Sequence, residues 1–329
     1  MLIGCLLAGL GLVASDIGEG TLSSMLLYSG MALAAFAILK AGFNIVRALI
    51  MRKSIRLSPQ DNDDDHVSRL GLPMVPWNAS DALALTLIAF IGGQLIGVGT
   101  VSLYVAASES ITFLQALARV ESEISTLFVG YLFAQVIAIG LVYLFVWYRR
   151  GSLASLGFRS FSFVKAAGFM AMFFIGYLIL SSLVIIGLEA TDVGIDFQAQ
   201  QEIGFLEASS TLEMLLAFIA LVILAPFAEE LVFRGVLLPA FSKKLGLIAA
   251  VIVTSVLFGI LHPPVNAMIG IGIFAIFLAL IYVLTRSIWP AIILHSLKNL
   301  LAFMAIFYAD NLLEYVEQFG YILKAGGAL

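Results

Sequence analysis

Charge is what this sequence has least of. Of its 329 residues only 12% are Asp, Glu, Lys or Arg, while 62% are hydrophobic and mean hydropathy is +1.09; soluble domains carry about 25% charged residues. That shortage excludes a soluble globule, in which short apolar runs alternate with polar faces. Here apolar runs of about 20 residues recur, each long enough to cross a bilayer as a helix.

Cysteine is nearly absent as well. Cys5 stands alone, which excludes an internal disulfide framework and a cysteine-rich metal site. The stretch "LIGC" loosely resembles a lipoprotein cleavage box, but no charged start or apolar stretch precedes it, so acylation of Cys5 is the weaker reading. Net charge is only -4, the acidic residues fall mostly in loops, and no basic patch invites nucleic acid.

What is present predicts an all-α fold, a polytopic integral membrane helical bundle with about eight transmembrane helices. The apolar runs lie near 24–50, 82–107, 125–148, 163–188, 212–239, 246–262, 267–285 and 288–309. Met1 to Val13 is too short for a comfortable span and reads as interfacial or packed on the bundle. Basic residues sort to one side: Arg52, Lys53, Arg56 and Arg69 follow the first run, Arg149, Arg150, Arg159 and Lys165 the third, Lys243 and Lys244 the fifth, Arg286 the seventh. The positive-inside rule makes those loops cytoplasmic and turns both termini outward.

Two loop and packing motifs have bland readings that win. "DNDDDH" at 61–66, with His66, has oxygen ligands for a cation but reads better as a solvated loop. Gly93 and Gly97 form a GxxxG that reads better as packing within the chain than as a dimer contact.

Within the runs, ionisable groups are few: Lys40, Arg47, Glu229, Glu230, Arg234, His262, His295 and Lys298. An ionisable group inside a span is a functional hypothesis by default. Lys40 and Arg47 can snorkel to the interface on long stems. Glutamates cannot: each costs roughly 3 kcal/mol at mid-bilayer and needs a partner or a wet cavity. Glu230 and Arg234, four apart on a helix, share a face as an ion pair does. Glu229 points about 100° away and is left for the cavity.

Depth can be counted from the turn at Leu245 and Gly246, which lies sixteen or seventeen residues from both Glu229 and His262. Antiparallel helices therefore bring those two to one level. The same count leaves His295 roughly 10 Å or more shallower, a gap that helix tilt or a deeper start at Pro290 must close. A Glu and a His can deprotonate water, while a second His and an Asn can donate hydrogen bonds to a developing oxyanion, which describes peptide hydrolysis without a covalent intermediate. A metal hydrolase remains the competing chemistry, although no HExxH is present. A serine mechanism through Ser255, Ser287 or Ser296 is weaker, since none sits in a GxSxG turn.

Three motifs now stand in order: EExxxR in Glu229, Glu230 and Arg234; FxxxH in Phe258 and His262; HxxxN in His295 and Asn299. Together they resemble the CAAX protease and bacteriocin-processing (CPBP, or Abi) family, and "SLGFR" at 155–159 is similar to the stretch that often precedes its core. The resemblance covers roughly 150–305. It implies a glutamate-type intramembrane endopeptidase in which Glu229 and His262 activate water, His295 and Asn299 stabilise the oxyanion, and Glu230, Arg234 and Phe258 support them. No cofactor is implied. The implied partners are the lipid bilayer and a peptide or protein substrate, lipidated or not, in the cell membrane of a prokaryote.

On this reading 1–149 is an N-terminal transmembrane region without an assigned role, 150–309 the catalytic core and 310–329 a tail. Two other function classes use the same residues. A non-catalytic scaffold or regulator would employ the polar cluster as a fastening, and a proton-coupled transporter would employ Glu and His as a relay.

Overall fold

The computed structural model describes residues 72–191, 208 and 210–325, with nothing said of the side chains of 121 and 309–325. The expected run at 24–50, the segment 1–13, and Cys5, Lys40, Arg47 and His66 lie outside the described residues. Among those described the chain is helical: α1 Ala79–Glu109, α2 Phe113–Ser122, α3 Ile124–Tyr148, α4 Phe163–Glu189, α5 Thr211–Leu245, α6 Leu247–Ile260, α7 Val265–Thr285 and α8 Trp289–Ala325. A single 3-10 turn, Leu153–Leu156, interrupts the link from α3 to α4.

Six of these helices are long and apolar enough to cross a membrane: α1, α3, α4, α5, α7 and the Trp289–Tyr308 part of α8. They match the expected runs in order. Their outer faces stay apolar, with Leu103, Leu144, Ile179 and Leu183 all more than half exposed. Such a surface is unfavourable in water and suits lipid, so this is an integral membrane protein.

Two boundaries differ from the expectation. The sixth run is a helix of only 14 residues, about 21 Å long against a hydrocarbon core of about 30 Å. Hydropathy cannot see what cuts it: Gly246 at one end, and at the other Pro263 and Pro264, which lack the N–H to continue a helix. The expected tail at 310–329 is helical through Ala325, continuous with α8.

Helix contacts follow small residues. A Cβ on Gly97 would stand 2.5 Å from Gly130 O and 2.7 Å from Ala134 N, so α1 and α3 touch backbone to backbone, as the GxxxG reading expects. A Cβ on Gly259 would likewise stand 2.5 Å from Met268 O, which lets α6 lie against α7. The core sits between α5, α6, α7 and the start of α8, where Phe233, Phe258, Phe274, Leu278 and Tyr282 are fully buried.

Polar ties gather the basic residues at one end of the bundle. Arg149 pairs with Asp81, the Trp77 indole donates to Val236 O at 3.0 Å, and Lys243 donates to the carbonyls of Val75 and Trp77. At the same end Ser287 Oγ donates to Arg159 O at 2.7 Å and the Ile288 amide to Gly157 O at 2.9 Å. Gly157 holds φ +87°, and a Cβ there would lie 2.5 Å from the Tyr282 hydroxyl, so only glycine lets this strap close over the α7–α8 turn. Ser287 and Ile288 are fully buried beneath it.

Candidate active site

The EExxxR motif lies in the middle of α5, its glutamates between two π-turns, Ile219–Leu224 and Leu231–Leu237, and its Arg234 within the second. In a π-turn each N–H reaches back five residues, as the Ala225 N–H does to Ala220 O. The next donor in that series belongs to residue 226, which is proline and has none. Leu221 O is thereby released, and Asn299 Nδ2 donates to it at 2.8 Å. Proline on one helix and asparagine on another thus fix α8 against α5 about two turns before the glutamates.

Glu230 is fully buried, and its Oε1 accepts from Arg234 Nη1 at 2.8 Å and from His295 Nδ1 at 2.9 Å. Arg234 spends a second donor on Ala275 O at 3.0 Å and lays its guanidinium 4.8 Å from the centroid of the Phe258 ring. The pairing expected from the four-residue spacing is therefore present, with hydrogen bonds and a cation–π contact offsetting the desolvation of both charges.

Glu229 takes the other direction. It is 6% exposed, and its Oε2 stands 3.9 Å from His262 Nε2 and 3.7 Å from His295 Nε2. His262 Nδ1 lies 2.7 Å from Phe258 O. A carbonyl only accepts, so Nδ1 carries the proton and Nε2 turns a lone pair toward Glu229. The same logic applies to His295, whose Nδ1–H points to the ion-paired Glu230.

Phe258 binds these parts together. Its fully buried ring meets Phe233 edge-on at 4.9 Å, His262 at 4.8 Å and His295 at 5.9 Å, while Phe274 packs on His295 at 5.8 Å. The structure thus brings Glu229, Glu230, Arg234, Phe258, His262 and His295 into one cluster, while Asn299, one turn along α8 from His295, is held by Leu221 O. His262 lies level with Glu229, as counting from the turn anticipates. The gap counted for His295 is closed by a deeper helix start: His295 lies against both glutamates, because α8 begins from the sunken Ser287–Ile288 turn and not from the surface.

Other neighbours have no motif to announce them. Tyr131, hydrogen-bonded to Gln135, faces Glu229 from α3, a helix to which the sequence assigns no role. The one signal is a polar pair four apart within an apolar run. Lys298, on α8 one turn past His295, interacts electrostatically with Glu229. Ser287, a serine of the alternative chemistry, is committed to Arg159 O instead.

A cavity of about 760 Å³ between α3, α5 and the start of α8 is lined by Phe227, Leu231 and Trp289, with Arg159 at its polar edge. On α5, Phe227 and Leu231 point roughly 160° from Glu229. The cavity therefore belongs to the opposite face of the helix from the cluster.

Residues 211–301 match the family described as type II CAAX prenyl endopeptidase Rce1-like. Among curated proteins, "Putative membrane peptidase YdiL" of Bacillus subtilis (strain 168) is 29% identical over 96 residues, which are 29% of this chain and 38% of that protein. The chain thus aligns with well under half of that relative's length. No solved structure matches it. The match begins after "SLGFR" and encloses all three motifs, so the resemblance to the CPBP family read from Glu229, His262 and Asn299 and the Rce1-like family match fall on one segment, residues 211–301.

Proposed function

We propose that the chain is an intramembrane endopeptidase in which Glu229 and His262 activate a water for attack on a peptide carbonyl. One observation carries this reading: a carboxylate that no cation among the described residues neutralises at contact distance faces the Nε2 atoms of two histidines at 3.7 and 3.9 Å, deep within an apolar bundle. A water about 2.8 Å from each partner spans such a gap. Similarity to a family described as CAAX prenyl endopeptidases and to a relative named as a membrane peptidase supports the same chemistry.

The steps follow from the donors and acceptors. The water oxygen bonds to the carbonyl carbon as its proton passes to Glu229, and the C–N bond then breaks as that same proton is handed on, directly or by way of His295, to the departing amine. The oxyanion meets the second N–H of Asn299, whose first is held by Leu221 O. His295 donates from Nε2 only when both ring nitrogens are protonated. The proton taken up by Glu229 lies 3.7 Å from that nitrogen, and Glu230 waits on the other side of the ring to hold the cation. No residue in this scheme needs a metal.

The substrate on this reading is a peptide or protein segment that enters the bilayer, with a lipidated C-terminal tail as the class suggested by the family description. The bacterial relative agrees with a prokaryotic cell membrane as its place. The test is cleavage of a lipidated and an unlipidated peptide library by the purified full-length protein. Glu229→Gln and His262→Ala should each abolish cleavage while thermal unfolding stays as in the wild type. Undiminished cleavage by Glu229→Gln overturns the reading.

A further inference from the structure

Lys298 belongs to none of the three motifs, yet it is the remaining charged side chain of the cluster. Its position on α8, three residues after His295 and next to Asn299, is set by two contacts already described: His295 to Glu230 and Asn299 to Leu221 O. Both tie this face of α8 to α5. Among the described residues Lys298 shows no hydrogen bond or ion pair at contact distance, and its interaction is the longer-range one with Glu229.

The charges then balance in a specific way. From α5 the site receives the carboxylates of Glu229 and Glu230 and the guanidinium of Arg234. The α6–α7 turn contributes His262, and α3 contributes Tyr131. From α8 come His295 and Lys298. Arg234 is committed to Glu230 at 2.8 Å. With both histidines neutral at rest, Glu229 would leave a net negative charge among buried apolar helices. Such a charge is expensive, and a carboxyl group escapes the expense by taking a proton. Protonated, it no longer accepts a proton from water.

We propose that Lys298 is the counter-charge of Glu229, a positioning residue that keeps the carboxylate ionised and so able to activate water. The inference rests on Glu229 being the water-activating base. It assigns Lys298 no contact with the substrate and a role through Glu229 alone. The ammonium stands off rather than closing a salt bridge, which leaves the carboxylate oxygens open to water.

Cleavage by the full-length protein, followed as a function of pH for wild type, Lys298→Met, Lys298→Gln, Lys298→Arg and Glu229→Gln, tests it. Lys298→Met and Lys298→Gln should each move the acid limb of the rate profile upward by about one pH unit, lower kcat by up to about tenfold at pH values below the limb, and leave KM within about twofold. Lys298→Arg should restore both the rate and the limb. Thermal unfolding identifies any variant that fails to fold, and the two neutral replacements, one polar and one apolar, make a shared folding failure separable from a charge effect. A wild-type limb in either folded neutral variant overturns the proposal, as does a uniform loss that Lys298→Arg does not rescue. Activity retained by Glu229→Gln overturns instead the reading of the base on which it rests.

Discussion

His295 donates its Nδ1 proton to Glu230 Oε1 across 2.9 Å. The opposite nitrogen of the same ring stands 3.7 Å from Glu229. Adjacent glutamates on one helix thus address two edges of one imidazole, Glu230 as an orienting anion and Glu229, in the proposed mechanism, as the reacting group. A turn of about 100° between neighbouring residues is what separates the roles.

That separation predicts opposite phenotypes. Glu230→Gln strips Arg234 of its buried anion and should lower stability by about 3–5 kcal/mol, because an uncompensated charge remains inside. Glu229→Gln should change stability by less than about 1 kcal/mol, since Glu229 has no cation at contact distance, and should abolish cleavage. Thermal unfolding in detergent, paired with a peptide-cleavage assay, reads both. Equal stability losses in the two variants would refute the division.

Phe258 should behave as structural support for chemistry it does not perform. Its ring lies under Arg234 and against His262 and His295 at once. Phe258→Ala should lose about 3–5 kcal/mol of stability, and Phe258→Leu should regain much of it while restoring little activity, since the aliphatic side chain fills volume without a π face for the guanidinium. A Phe258→Leu protein of full activity would show that volume alone suffices.

Much of this site was legible before any coordinates. The four-residue spacing of Glu230 and Arg234 reads directly as an ion pair, and counting residues from Gly246 puts His262 level with Glu229. The motif trio marks the segment that the family match later encloses. What escaped was whatever depends on packing between distant elements. For His295 the residue count demands helix tilt or a deeper start near Pro290 without deciding between them, and it is the 153–161 strap, burying Ser287 and Ile288, that provides the deeper start. The short α6 read as a span because hydropathy registers apolar character and not the prolines that cut a helix. Tyr131 could not be placed at all, since nothing local joins α3 to Glu229. Pro226 was in plain view, but its meaning required the π-turn before it.

The α1–α3 contact should depend on the smallest side chain. At Gly97 a Cβ would stand 2.5 Å from a backbone oxygen, and backbone cannot swing aside as a side chain can. Gly97→Ala should lower stability by about 1–3 kcal/mol, while Gly99→Ala, where a Cβ meets nothing within 4 Å, should leave it unchanged or raise it. Comparing the two unfolding midpoints checks the pair.

The proposed chemistry needs proton acceptors and hydrogen-bond donors only. Cleavage should therefore persist after exhaustive chelation, with elemental analysis confirming that the protein retains no metal. Loss of activity that zinc restores would favour instead the hydrolase in which Glu229, His262 and His295 act as ligands.

Pro226 gives the most specific test of how α5 and α8 are joined. Its missing N–H is what leaves Leu221 O to Asn299. Pro226→Ala returns a backbone donor to that carbonyl, and the new intrahelical bond competes with the asparagine amide for it. The fold should survive, since an ordinary helical hydrogen bond replaces an interhelical one and stability should shift by no more than about 1 kcal/mol. Cleavage should fall by about tenfold or more, because an asparagine released from Leu221 no longer holds its second N–H toward the oxyanion. Asn299→Asp removes the same donor from the other side, so Pro226→Ala added to Asn299→Asp should cost little beyond the single change. Full additivity in kcat would mean that the two residues act independently and that the link through Leu221 carries no catalytic weight.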